Sequence, residues 1–263
     1  MTRALAALIA LTTLAALTTS AAPAHAGEHM LWRTDDTAYL TPPGRVEVNL
    51  FGSTRWSPTD DTELATDLLW NILIPNIQLK HHWATTPDGW TFTTQHRASY
   101  PTLLYSTTSR EGTGGLLPAT LEPPQIIALE TDALISRYVA RQHLITLRAG
   151  VEVAPRFGGQ DVPIIELPLL YPRTASSMTW ATFRLGLQLD GQIWRAFDYH
   201  ASALLYVLPA IPGGAALEHR ARVAWRPGRH LALEVGYTLS YANYPYGAQV
   251  HMFPAFDFAF AFE

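Results

Sequence analysis

The stretch Phe253-Pro254-Ala255-Phe256-Asp257-Phe258-Ala259-Phe260-Ala261-Phe262-Glu263 alternates an aromatic with a small or acidic residue from Phe256 onward. In an extended chain successive side chains point to opposite sides, so residues 249–263 make a strand with one aromatic face and one narrow face. In a water-soluble sheet the aromatic face would cover a core. The same pattern recurs upstream, and no helical segment is there to pack on it. The apolar faces therefore need a solvent other than water.

Upstream, Val46, Val48 and Leu50 oppose Glu47 and Asn49, and Trp90, Phe92 and Thr94 oppose Thr91, Thr93, Gln95 and Arg97. Ile145, Leu147, Ala149, Val151 and Val153 share one face of a third segment. Continued along the chain, the pattern predicts ten strands, beginning at 45, 68, 90, 125, 143, 178, 192, 215, 229 and 249. Residues 53–67 read as a loop rich in Ser, Thr, Asp and Pro. Within 68–83 the apolar parity changes at Pro75, which has no ladder donor, and a bulge there accounts for both facts. Turns at Pro87-Asp88-Gly89, Arg141-Gln142, Asp190-Gly191 and Pro227-Gly228 alternate with longer loops, the last at 242–247. A strand-like section at 164–171 would raise the count to twelve if it and a neighbour both crossed; a count of eight would discard two well-patterned strands.

The terminal aromatic run resembles the C-terminal signal of bacterial outer-membrane β-barrels, with Glu263 added beyond the last Phe. The resemblance implies an all-β, transmembrane, antiparallel up-and-down barrel in the outer membrane of a Gram-negative bacterium. It further implies that Phe256, Phe258, Phe260 and Phe262 form a membrane-insertion signal for the barrel-insertion machinery, and that outer-membrane lipid surrounds the wall. Short turns on one side and long loops on the other fit such a barrel. Residues 1–26 read as a signal peptide: Arg3, an apolar run, and Ala24-His25-Ala26 as the cleavage site. Residues 27–43 follow as a periplasmic lead-in, and 44–263 as the barrel. No later stretch is apolar for the roughly 20 residues that a spanning helix needs.

Composition narrows the classes. A net charge of -4 with only 15% charged residues lacks the basic stripe that nucleic acid calls for. The absence of Cys removes disulfides, thiolate chemistry and Cys-based metal sites. Eight Trp and eleven Tyr suit two interfacial girdles.

Opposite the apolar faces lie Glu47, Lys80, Arg97, Glu130, Asp132, Arg148, Glu152, Arg184, Asp198, Glu218, Arg220, Arg222 and Glu234. Nearly balanced in sign, they predict a lumen filled by ion pairs, Arg148 with Glu152 among them, and argue against a wide pore. The expected role is structural, or binding at the outer loops; the alternative is a narrow channel for small solutes. A rim-sited hydrolase is a weaker reading. Asp198 with His200, and Glu130 with Asp132, are the same-face pairs that resemble the acidic cleft of omptin proteases, yet they belong at different heights. His81, His96 and His219 fall on the apolar face while Ser99 and Ser202 fall on the other, so no outward Ser and His pair emerges for a lipase. His81 and His82 point apart and cannot chelate one ion. The Gly-rich runs at 111–115 and 157–159 do not lie between strand and helix, as a phosphate loop requires. The expectation is therefore no enzyme, no metal and no cofactor.

Overall fold

The computed structural model describes residues 35–139, 142–165, 167–244 and 247–263. The expected signal peptide, the first part of the lead-in, and Arg141 of one expected turn lie outside them.

Twelve antiparallel strands close into a barrel, each bonded to its neighbour in sequence, with the last strand returning to the first. They are β1 (Val46–Asn49), β2 (Ser53–Trp56), β3 (Thr62–Asp67), β4 (Asn76–Thr85), β5 (Trp90–Ser99), β7 (Ala128–Val139), β8 (His143–Val153), β10 (Ala181–Trp194), β11 (Phe197–Val207), β12 (Ala215–Trp225), β13 (Leu231–Tyr244) and β14 (Gly247–Phe262). Two further strands, β6 (Gln125–Ile126) and β9 (Arg156–Phe157), pair with each other as a separate ribbon. Short helices α1 (Thr102–Thr108), α2 (Tyr171–Thr174) and α3 (Ser176–Thr179) sit in the two longest connections.

The wall is inverted relative to a water-soluble protein. On β7, Glu130, Asp132 and Ser136 are buried while Leu129 and Ile135 are exposed. Ile77, Trp83, Leu185, Val235 and Met252 are all more than half exposed on the outside. Five of the eight Trp mark one rim: Trp56, Trp194 and Trp225 end their strands, Trp90 begins one, and Trp83 lies two residues from the end of β4. That rim carries the turns at 86–89, 195–196 and 226–230, with Arg45 and Glu263. The opposite rim carries the long connections and the short β1–β2 turn.

Several expectations change. The wall has twelve strands, not ten, and the added pair is β2 and β3 within 53–67, read from sequence as loop. Their inward residues Arg55, Glu63 and Asp67 are charged, so a polar stretch satisfies a polar interior. The described residues of 164–171, the expected source of extra strands, lie in no strand. Residues 68–75, expected as the first half of a strand, form a 3-10 turn at Trp70–Ile72 and an irregular segment, and β4 begins directly after Pro75. The bulge falls between His82 and Ala84. Asp190-Gly191 is no turn: Asp190 pairs with His200 and Gly191 with Tyr199 inside the ladder. A Cβ on Gly191 would lie 2.4 Å from the Tyr199 ring, so this glycine serves ring packing. The chain turns instead at Arg195-Ala196, with Arg195 at φ 47°. At the far end β13 and β14 run on to Tyr244 and Gly247, shortening the expected loop.

The wall is not of even height. β1, β2 and β3 have four, four and six residues, against 14 and 16 in β13 and β14. β1 pairs with β14 only from Val46↔Phe262 to Asn49↔Ala259. One more bond, Leu50 N–H to the Phe258 carbonyl at 3.0 Å, ends the ladder. There the Asp257 carboxylate accepts from the N–H groups of Leu50 and Phe51 at 3.1 and 2.9 Å, latching the β1–β2 turn. From Phe256 back to Gly247 that edge of β14 has no strand beside it among the described residues. Ten residues of edge amount to roughly 33 Å of strand.

Candidate functional site

Residues 35–43, read from sequence as lead-in outside the wall, cross the barrel interior instead. Their backbone is held by inward side chains of five strands. The Asp35 carbonyl accepts from Gln188 Nε2 at 3.0 Å, the Ala38 N–H donates to Ser136 Oγ at 2.8 Å, and the Ala38 carbonyl accepts from Thr93 Oγ1 at 2.6 Å. Lys80 Nζ donates to the Tyr39 carbonyl at 2.9 Å, and the Thr41 N–H donates to Glu63 Oε2 at 2.7 Å. A segment without ladder partners must find its hydrogen bonds elsewhere, and polar inward residues supply them. Asp36 reaches Arg148 at 2.9 Å. Burial alone would raise the Asp36 carboxyl, but Arg148 and Arg220 outweigh it and hold the group well below the usual carboxylate range.

At the other rim, the 154–180 connection folds over the mouth. Arg173 of α2 makes a two-pronged pair with Glu218 on β12, at 2.5 and 2.6 Å, and Tyr171 donates to the Asn243 carbonyl at 2.9 Å. Ser176 of α3 bonds the Glu152 carboxylate. The connection's Tyr171 and Ala175 pack on Tyr206, Leu208, Ala216 and Ala242 of the wall.

Between the N-terminal segment and this cap lies a chamber of about 210 Å³. A second cavity of about 30 Å³, among Asp190, Asp198, His200, Arg226 and Asp257, lies toward the short-turn rim. Arg97, Arg148, Arg173, Arg184, Arg220 and Arg222 line the chamber together with Asp35, Asp36, Asp67, Glu130, Glu152 and Glu218. Phe51, Trp70, Ile74, Leu170, Leu204 and Tyr206 supply an apolar side.

The ion pairs are specific. Arg148 and Arg184 share two carboxylates: Arg184 stands 2.5 Å from Glu130 and 2.9 Å from Asp132, and Arg148 is 3.4 Å from Glu130 and also bonded to Asp132. Arg220 reaches Glu218 at 3.1 Å and Arg222 reaches Glu234 at 3.4 Å. The remaining expected charges pair outside the expected set. Glu47 takes Arg45 and Arg55, Lys80 takes Glu63, Arg97 takes Asp67, and Asp198 takes Arg226. The expected pair of Arg148 with Glu152 does not form. Four residues along one strand are about 13 Å apart, so Arg148 turns to the neighbouring strand and Glu152 to the cap.

Arg55, Glu63 and Asp67 escaped sequence reading because their segment lacked apolar alternation; Asp190 escaped because it sat in an expected turn, and Arg226 because it lay just past the expected end of its strand. Asp257 was legible, opposite the Phe face.

The candidate catalytic groups do not assemble. His200 pairs with Asp190 at 2.8 Å near the short-turn rim, while Glu130 and Asp132 bind arginines of the chamber. On the outside, His96 bonds Thr131 and Thr94 at 3.1 and 3.2 Å, and His81 packs edge-on against Trp83; His219 is buried against Tyr237. Among the described residues no cluster of three His, Asp or Glu is arranged to hold a metal ion. Phe256, Phe258, Phe260 and Phe262 all face outward, 45–58% exposed. No protein-family model matches the sequence, and no curated protein matches it.

What the chamber offers chemically is hydrogen-bond donation in excess. Each guanidinium carries five N–H donors, and the acids around it are already engaged. Thr182 Oγ1 and the Nε atoms of Arg184 and Arg222 are buried without a partner among the described residues.

Proposed function

We propose that this chain is an outer-membrane β-barrel of a Gram-negative envelope whose lumen is held shut, working as a binding or scaffold barrel with its activity on the loop side. The membrane reading is supported by the apolar exterior, the charged interior and the Trp rim, which together match the way a barrel meets lipid and headgroups. Phe256 to Phe262 would engage the insertion machinery during assembly. The observation that carries the closed reading is the passage of residues 35–43 through the interior, bonded to five strands. An ion traversing the lumen would have to displace that segment and pass the shared Arg148 and Arg184 network.

The test is conductance of the refolded mature chain in a planar bilayer, with heat-modifiable gel migration reporting that the barrel is folded. The intact chain is silent, and a variant lacking residues 35–43 shows openings. Steady openings of the intact chain would replace this reading with the narrow solute channel.

A further inference from the structure

The wall is lowest where the chamber is apolar. On the loop side β1 to β3 stop at Asn49, Ser53 and Asp67, and beyond them β14 continues for ten residues with one edge unpaired among the described residues. In a bilayer no backbone edge is left facing hydrocarbon without cover. The segment over this gap is itself apolar: Leu68, Leu69 and Ile72 are exposed to the outside at 42%, 38% and 68%, while Trp70 and Ile74 turn to the chamber beside Phe51. The Phe51 ring meets that of Phe256 at 4.6 Å. An apolar threshold thus joins the outer surface to a chamber lined beyond it by six arginines and six carboxylates.

We infer that this gap is a side entrance through which the chamber takes the head of a single-chain amphiphile bearing a compact oxyanion, drawn from the membrane leaflet on the loop side. The inference rests on the membrane reading above. Three observations fix the ligand class. The chamber is smaller than the roughly 300 Å³ at which ligand pockets begin, so a head and its first carbons enter and the chain stays along the β14 edge. The Nε–H groups of Arg184 and Arg222 are buried donors without an acceptor among the described residues, and such groups call for an acceptor and not for a cation; the Thr182 hydroxyl beside them, also without a partner, can donate or accept. Arg220 and Arg222 are also second partners to their carboxylates, since Glu218 keeps its two-pronged bond to Arg173 and Glu234 keeps Arg226 at 3.1 Å without them.

The last point makes the test clean. A variant carrying Arg220→Gln and Arg222→Gln leaves Glu218 to Arg173, Glu234 to Arg226 and Asp36 to Arg148, and retains its fold, checked by heat-modifiable migration. The refolded mature chain, in phosphatidylcholine vesicles containing a diazirine analogue of palmitate, is irradiated and its adducts are mapped by peptide mass spectrometry. Adducts concentrate at residues 51–53 and 70–76, above the level at Leu185 and Leu187 on the far wall. In the double variant the adducts at the gap fall about tenfold, the loss expected for one charge-assisted hydrogen bond, while those at Leu185 and Leu187 stay unchanged. Even labelling around the wall overturns the entrance. Equal labelling at the gap by the diazirine analogue of hexadecanol overturns oxyanion recognition. Loss of gap labelling in excess aqueous butanoate shows a free anion arriving from water and overturns the lipid source. A chain that fails to float with the vesicles overturns the membrane reading itself, an outcome distinct from a floating barrel that is evenly labelled.

Discussion

The sector β1 to β3 and the sector β10 to β14 are built from the same inverted pattern, yet they are held differently. In the tall sector the ladder carries most of the order: β13 and β14 pair without interruption from Leu231↔Phe260 to Tyr244↔Gly247. In the short sector the ladders are four residues or fewer, and side chains finish the job. Asp257 latches the β1–β2 turn, Ser53 donates to Asp67 at 2.6 Å, and the Asp67 N–H donates to Asn76 Oδ1 at 3.1 Å. A barrel wall can thus be lowered on one side when carboxylates and amides end the strands that a ladder would have continued.

The strongest test of that contrast is Arg148→Met. It removes the cation shared by Glu130, Asp132 and Asp36 and leaves buried carboxylates short of a partner, a loss of about 3–5 kcal/mol. The urea midpoint should fall accordingly, and an unchanged midpoint would show that Arg184 alone suffices. Next comes Gly150→Ala on β8, where a Cβ would meet the Asp132 carboxylate and the Thr131 carbonyl. Overpacking of this kind costs about 1–3 kcal/mol, read by the same midpoint.

Asp257→Ala removes the acceptor of three backbone N–H groups, those of Leu50, Phe51 and Phe258, at about 1 kcal/mol each. Its signature is local: amide exchange at Leu50 and Phe51 should accelerate while β13 stays protected. Equal acceleration in both sectors would erase the distinction. A smaller effect follows from Asp36. Its carboxyl is held below its ordinary value of 3.8, so its hold on Arg148 is fully present above that value and weakens only as pH falls through the lower folded value. Protection of the Ala38 amide should then be flat from neutral pH down to about 4. The smallest is Arg229→Gln: its pair with Glu263 is nearly half exposed at both partners, and such pairs contribute under about 1 kcal/mol.

Much of the wall was legible. The strands from Trp90 onward announce themselves by alternation, because each presents one apolar face outward and one polar face to the interior. The short sector was silent for the same reason: Thr62–Asp67 reads Thr-Glu-Leu-Ala-Thr-Asp, with too little apolar contrast to signal a strand. Residues 68–74 erred the other way, since a dense apolar run signals burial or lipid without saying which backbone carries it.

The sequence by itself determined the inverted alternation, the aromatic final strand, and the charges opposite the apolar faces. All follow from a side-chain period of two, which is local. Only the tertiary structure decided which arginine meets which carboxylate, that residues 35–43 cross the lumen, and that the wall is low on one side. Those depend on which strands become neighbours on closure and at what stagger, and a chain carries no local record of the partner it will meet.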